Sequence, residues 1–134
     1  MRAESALAGR ANLVSWICQL AAAAIMAQTL YFKFTGAPES VYIFSTLGAE
    51  PWGRLGSGAL ELVAAVLLAV PRTAVFGALL GVGLMTGAIG AHVTRLGIEV
   101  QGDGGLLFVL ALATFLASAT VAVLRRRQIW SRIP

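Results

Sequence analysis

Between Leu13 and Phe32 the chain runs for twenty residues without a charge. The hydrocarbon core of a bilayer is about 30 Å thick and takes about 20 apolar residues to cross as a helix. A helix also satisfies its backbone N–H and C=O groups internally, which lipid demands of any segment that spans it. Three further runs follow, at about 55–70, 74–93 and 106–124. Only 12% of the 134 residues are charged, where a globular domain has about a quarter. Mean hydropathy is +0.83. The sequence therefore predicts an all-α polytopic membrane protein, a four-helix bundle forming one transmembrane domain over 1–134.

The connections are short. Pro38-Glu39, followed by Val41, Phe44 and Leu47 and closed by Gly48, predicts a short helix lying in the membrane interface between spans one and two. Pro71-Arg72-Thr73 is a tight turn, and 94–105 is a polar, glycine-rich loop. The basic start and the alanines at 21–24 have the look of a signal peptide. The first run, however, exceeds the usual 7–15-residue core of one, so span one is expected to be retained.

Charge placement sets the expected orientation. Arg2, Arg10, Arg72, Arg125, Arg126, Arg127 and Arg132 fall on the side of the termini and the 71–73 turn. The other side has Lys33, Arg54 and Arg95, offset by Glu39, Glu50, Glu99 and Asp103. The positive-inside rule puts both termini in the cytoplasm. It also reads the net charge of +4 as a topological signal and not as a nucleic-acid surface. The single cysteine, Cys18, lies within a span and excludes a disulfide framework or a cysteine metal site.

Glu61 interrupts this apolar pattern. A carboxyl at the centre of a span costs at least about 2.5 kcal/mol to insert, so a partner or a function is expected for it. At 1.5 Å per residue, Glu61 lies about 9–13 Å along its helix from the outer boundary, while Lys33 and His92 end their spans at that same boundary. A cation, an imidazole and a carboxyl thus converge on one half of the bundle, and the cation favours the charged carboxylate. Two readings stand side by side: a structural ion pair that fixes helix rotation, or a proton-handling or headgroup site with Glu61 and His92 as its reactive groups. Gln28 is expected to hydrogen-bond Glu61, and Gln19 to join helices. Tyr31 and Trp52, with Phe32, Phe34, Tyr42 and Phe44, gather at the same rim, as an interfacial belt or as a slot for a planar headgroup. Asp103 is expected to be solvated, with too few neighbouring ligands for a metal.

Span three carries Gly77/Gly81 and Gly83/Gly87, two pairs at the four-residue spacing that brings helix backbones together in lipid. The segment 81–87 has one residue too many or too few for a dinucleotide loop and no strand before it, so packing is its expected role.

Lys33-Phe34 at the end of span one, Gly58-Ala59-Leu60-Glu61-Leu62 with Leu67-Leu68 and Pro71 in span two, and Ala88 to His92 at the end of span three together resemble the DoxX and DoxX-like family. Alanines at 64 and 65 stand where such proteins often carry a glycine after the glutamate. The resemblance implies a multi-pass bacterial inner-membrane protein. Some relatives are membrane subunits of quinone-linked oxidoreductases, such as thiosulfate:quinone oxidoreductase, and others associate with redox-stress partners. The expectation is a redox-associated membrane subunit binding a quinone between Lys33, Glu61 and His92, with Gln28, Tyr31 and Trp52 contributing to the site. Electrons would come from a redox partner protein or soluble donor. Two alternatives remain: a small proton-coupled transporter, although that class places its glutamate in the first span, where this chain has Gln19 and Gln28; and a structural accessory subunit docking through the span-three glycines. Catalysis by the chain itself and a homo-oligomer are left open.

Overall fold

A computed structural model describes residues 8–132; Arg2, counted among the topological charges, lies outside them. Four long helices form the body: α1 (Gly9–Thr35), α3 (Trp52–Ala69), α4 (Ala74–Ala91) and α5 (Leu106–Leu124). Between α1 and α3 lies the short α2 (Pro38–Thr46), and α6 (Arg127–Arg132) ends the described chain. The four long helices, with the turn that extends α4 to Leu96, are each long and apolar enough to cross a membrane. Their packing is cyclic: α1 on α3, α3 on α4, α4 on α5, and α5 back on α1. Large apolar side chains such as Leu13, Ile17, Leu116 and Val123 face outward, as expected of lipid-facing surfaces.

Local chemistry sets the boundaries. Gly36 ends α1 in the left-handed conformation at φ +69°, which a side chain resists. Pro38 then opens α2 with its fixed φ, where a missing N–H costs no helical bond. Pro71 ends α3 and leaves the carbonyls of its last turn without helical donors. Side chains supply the bonds: Thr73 Oγ1 donates to Leu67 O at 2.9 Å and Gln19 Nε2 to Leu68 O at 2.8 Å. The second of these joins α1 to α3, the interhelical role expected of Gln19.

The end of the bundle that carries the termini is closely packed. Gly77 faces α3 so tightly that a Cβ there would lie 2.7 Å from Leu68 N and 2.8 Å from Ala64 O. Gly81 meets α5, where its Cβ would lie 2.6 Å from Ser118 Oγ. Buried Ala22, Ala64, Leu68, Ala74, Ala78 and Val121 complete this core. The second glycine pair departs from expectation: Gly83 and Gly87 have nothing within 4 Å of a Cβ position. At about 100° per residue, position 83 is turned about 200° from position 81, so the two pairs cannot share a face.

Arg125, counted among the topological charges, is buried within the bundle. It is 3% exposed, and its Nε donates to Ser15 Oγ at 2.7 Å and Gln19 Oε1 at 2.8 Å, while Nη2 donates to Asn12 Oδ1 at 2.9 Å. Gln128 ties the chain's end to the α3–α4 turn, accepting from Val75 N and donating to Pro71 O.

Gly77→Ala should destabilise the protein by about 1–3 kcal/mol, because the added methyl meets backbone atoms that cannot yield. Gly83→Ala should be neutral or slightly stabilising, since it meets open space and removes a flexible helix residue. Thermal unfolding in detergent by circular dichroism compares the two; equal losses would contradict the packing described.

Candidate functional site

Lys33, in the last turn of α1, reaches across to α3. Its Nζ lies 2.6 Å from Glu61 Oε1 and donates to Ser57 Oγ at 3.2 Å. Thr29 Oγ1 is 3.3 Å from the same carboxylate oxygen. Glu61 is 4% exposed, so it is removed from lipid and held among polar partners. Gly58 makes the approach close enough: a Cβ there would press on the Phe34 ring at 3.0 Å and lie 3.5 Å from Lys33 Cβ. The Lys33 ammonium sits 5.5 Å above the Phe44 ring of α2, within cation–π range. Arg54 secures the end of α1 by donating to the Lys33 carbonyl, and it pairs with Glu50 at 2.8 Å. That carbonyl is one of those α1 leaves open at its C-terminus.

The pair lines a cavity of about 560 Å³, within the usual range for a small-molecule site. All four long helices and α2 contribute to its wall. Met26, Met85 and Ala111, shared with the core, lie on it; Ile43, Phe44 and Leu47 come from α2; Leu106, Leu107 and Leu110 come from α5. Against this apolar lining stand polar groups, among them Thr29, Lys33, Glu39, Ser57, Glu61 and His92.

His92 is on the cavity wall and 5% exposed. It opens a short π-helical turn, His92–Leu96, that extends α4. Its Nδ1 lies 2.9 Å from Gly97 O, and its ring packs edge-on against Phe108 with centroids 5.5 Å apart. The cavity thus brings Lys33, Glu61 and His92 onto one surface, but only the first two bond each other directly.

The other expected site residues fare differently. Gln28 lines the cavity with an exposed side chain, yet the group bonded to Glu61 is Thr29, one residue and about 100° further round α1. Tyr31 and Trp52 are 68% and 79% exposed and form no part of the wall. Tyr31 is turned about 200° from Lys33 on the same helix, which aims it outward. The aromatic rings on the wall are those of Phe32, Phe44 and the His92 imidazole. Among the described residues no group of three His, Cys, Asp or Glu side chains is placed to hold a metal.

Asp103, expected to be solvated, caps α5. Its Oδ1 accepts from Val100 N at 3.0 Å and Gly105 N at 2.8 Å, and its Oδ2 from Leu107 N at 3.1 Å. Burial opposes the charge, but the backbone donors of Leu107, Val100 and Gly105, with attraction to His92, hold this carboxyl below its ordinary value of 3.8.

A bundle of four membrane helices around a cavity with a buried lysine–glutamate pair on its wall defines a small integral membrane protein. The chain belongs to the DoxX-like family, whose model matches residues 17–111. That stretch holds Lys33, Glu61 and His92 and leaves Arg125 and Gln128 outside. No curated protein and no solved structure matches the chain.

Two outcomes follow for this site. Lys33→Met alone should destabilise the protein by about 3 kcal/mol, the lower part of the range for breaking a buried pair, because the ammonium keeps some solvent contact. Combining it with Glu61→Leu should recover most of that loss, since no charge is then left in an apolar setting. Thermal unfolding of the singles and the double forms the cycle. For Asp103, a depressed folded-state value means its contribution is fully present above pH 3.8 and fades as pH falls through the lower folded value. Asp103→Asn should therefore cost about 0.5–1 kcal/mol at neutral pH, the low end for a partly solvated cap. The difference should close in unfolding curves taken below that pH.

Proposed function

We propose that the protein is a redox-associated subunit of the bacterial inner membrane that holds a quinone headgroup in the cavity beside Lys33 and Glu61. The observation that carries this reading is a buried ion pair set into the wall of a mostly apolar cavity of about 560 Å³. A quinone supplies two-electron, two-proton chemistry on an uncharged ring with an apolar tail. The residues present suit such a group. Leu107, Leu110 and Ile43 give the ring and tail an apolar surface, and Lys33 can donate to a ring oxygen while still paired. Glu61 and His92, on the same wall, are groups able to hold a proton. Electrons would arrive from a partner protein or soluble donor, and the basic terminal end would face the cytoplasm.

Binding of a short-chain ubiquinone analogue to the purified protein, followed by isothermal titration in detergent, tests this. The Lys33→Met/Glu61→Leu variant should bind at least about tenfold more weakly, since a hydrogen bond to a charged group is worth about 1.5–3 kcal/mol. Equal affinity in the folded variant would remove the pair from the binding site.

A further inference from the structure

His92 carries a directional signal that the ion pair does not. Its Nδ1 lies 2.9 Å from Gly97 O. A carbonyl oxygen only accepts, so Nδ1 bears the proton, and the ring in its uncharged form presents a lone pair at Nε2. The loop fixes this arrangement. Gly97 ends the turn at φ +81°, and its own N–H returns to His92 O at 2.8 Å. Phe108 packs on the ring and restricts its rotation. Nε2 has no hydrogen-bond partner among the described residues. Nor is it sealed away, since the buried side-chain atom without a partner is Ser118 Oγ. A nearly buried acceptor on a cavity wall is satisfied by a donor brought in with the ligand.

We infer that the cavity selects a ligand whose hydroxyl donates to His92 Nε2, and so takes the hydroquinone in preference to the oxidised quinone. This rests on the quinone reading given above. The ring oxygens of an oxidised quinone only accept, and one placed at Nε2 would set lone pair against lone pair. A hydroquinone hydroxyl donates to Nε2, and its oxygens still accept from Lys33. A tenfold preference for the reduced form raises the two-electron potential of the bound couple by about 30 mV.

The experiment compares three probes on the wild-type protein under anaerobic conditions: a short-chain ubiquinone, its hydroquinone and the hydroquinone dimethyl ether. The hydroquinone is expected to bind about tenfold tighter than the other two, the value of one neutral hydrogen bond. In His92→Phe the three affinities should converge. Equal binding of quinone and hydroquinone by the wild type would overturn the inference and leave the quinone site standing. So would tighter binding of the oxidised form, which marks an imidazolium donor at Nε2. Binding of none of the three would overturn both. The wild-type comparison decides the matter even where His92→Phe fails to fold.

Discussion

A carboxylate inside a membrane helix survives only where something meets it, and here that is the Lys33 ammonium at 2.6 Å. The contact fixes the rotation of α1 and α3 about their own axes, because neither side chain reaches the other from a different face. Neighbouring features follow from it. Gly58 keeps the helices close at that level, Ser57 and Thr29 add hydrogen bonds to the paired groups, and Arg54 binds the carbonyl of the same lysine. Phe44 brings α2 over the ammonium. The short helix α2 is therefore anchored to the buried pair as well as lying at the bundle's end.

Lipid gives helices no hydrophobic reason to associate, so they cohere by close packing and by polar bonds between them. This bundle divides those devices between its halves. Toward the termini, Gly77 and Gly81 let α4 lie against α3 and α5, and Gln19, Arg125 and Gln128 link α1, α3, α4, the end of α5 and α6 through side-chain bonds. Above Gly81 the glycines of α4 turn away from their neighbours, and Met26 and Met85 pass from core to cavity wall. Cohesion is concentrated at one end, which leaves the other free to hold an internal space.

The spans were legible in the sequence because hydropathy over twenty residues is insensitive to rotation. The pairing of Lys33 with Glu61 was legible too, because depth follows from counting residues at a fixed rise. What could not be read was phase. Gln28 and Thr29 lie at nearly the same depth and differ by about 100° around the helix, and only one of them meets Glu61. Tyr31 and Trp52, read as a belt or as part of a slot, point away from the cavity, and Gly83 and Gly87, read as a packing pair, have nothing within 4 Å of a Cβ position. Arg125 was hidden for a different reason. A run of three arginines after a span reads as a stop signal, and the buried acceptors Ser15 and Gln19 stand over a hundred residues away in sequence. The cap formed by Asp103 depends on the fold of the loop 97–105, which its glycines leave undetermined in the sequence.

The ion pair also bears on what kind of molecule suits the cavity. With Glu61 bound to Lys33, the pair itself has no net charge to offer, although Glu39 of α2 also lies on the wall, and a cationic ligand at the pair would have to displace the ammonium from a contact of 2.6 Å. That exchange leaves a desolvated lysine with no carboxylate beside it, at a cost of several kcal/mol. An anion meets the mirror problem at Glu61. An uncharged head avoids both: it accepts from the remaining ammonium hydrogen and leaves the pair intact. The same electrostatics that allow a glutamate to reside in the span thus favour an uncharged head at the pair itself.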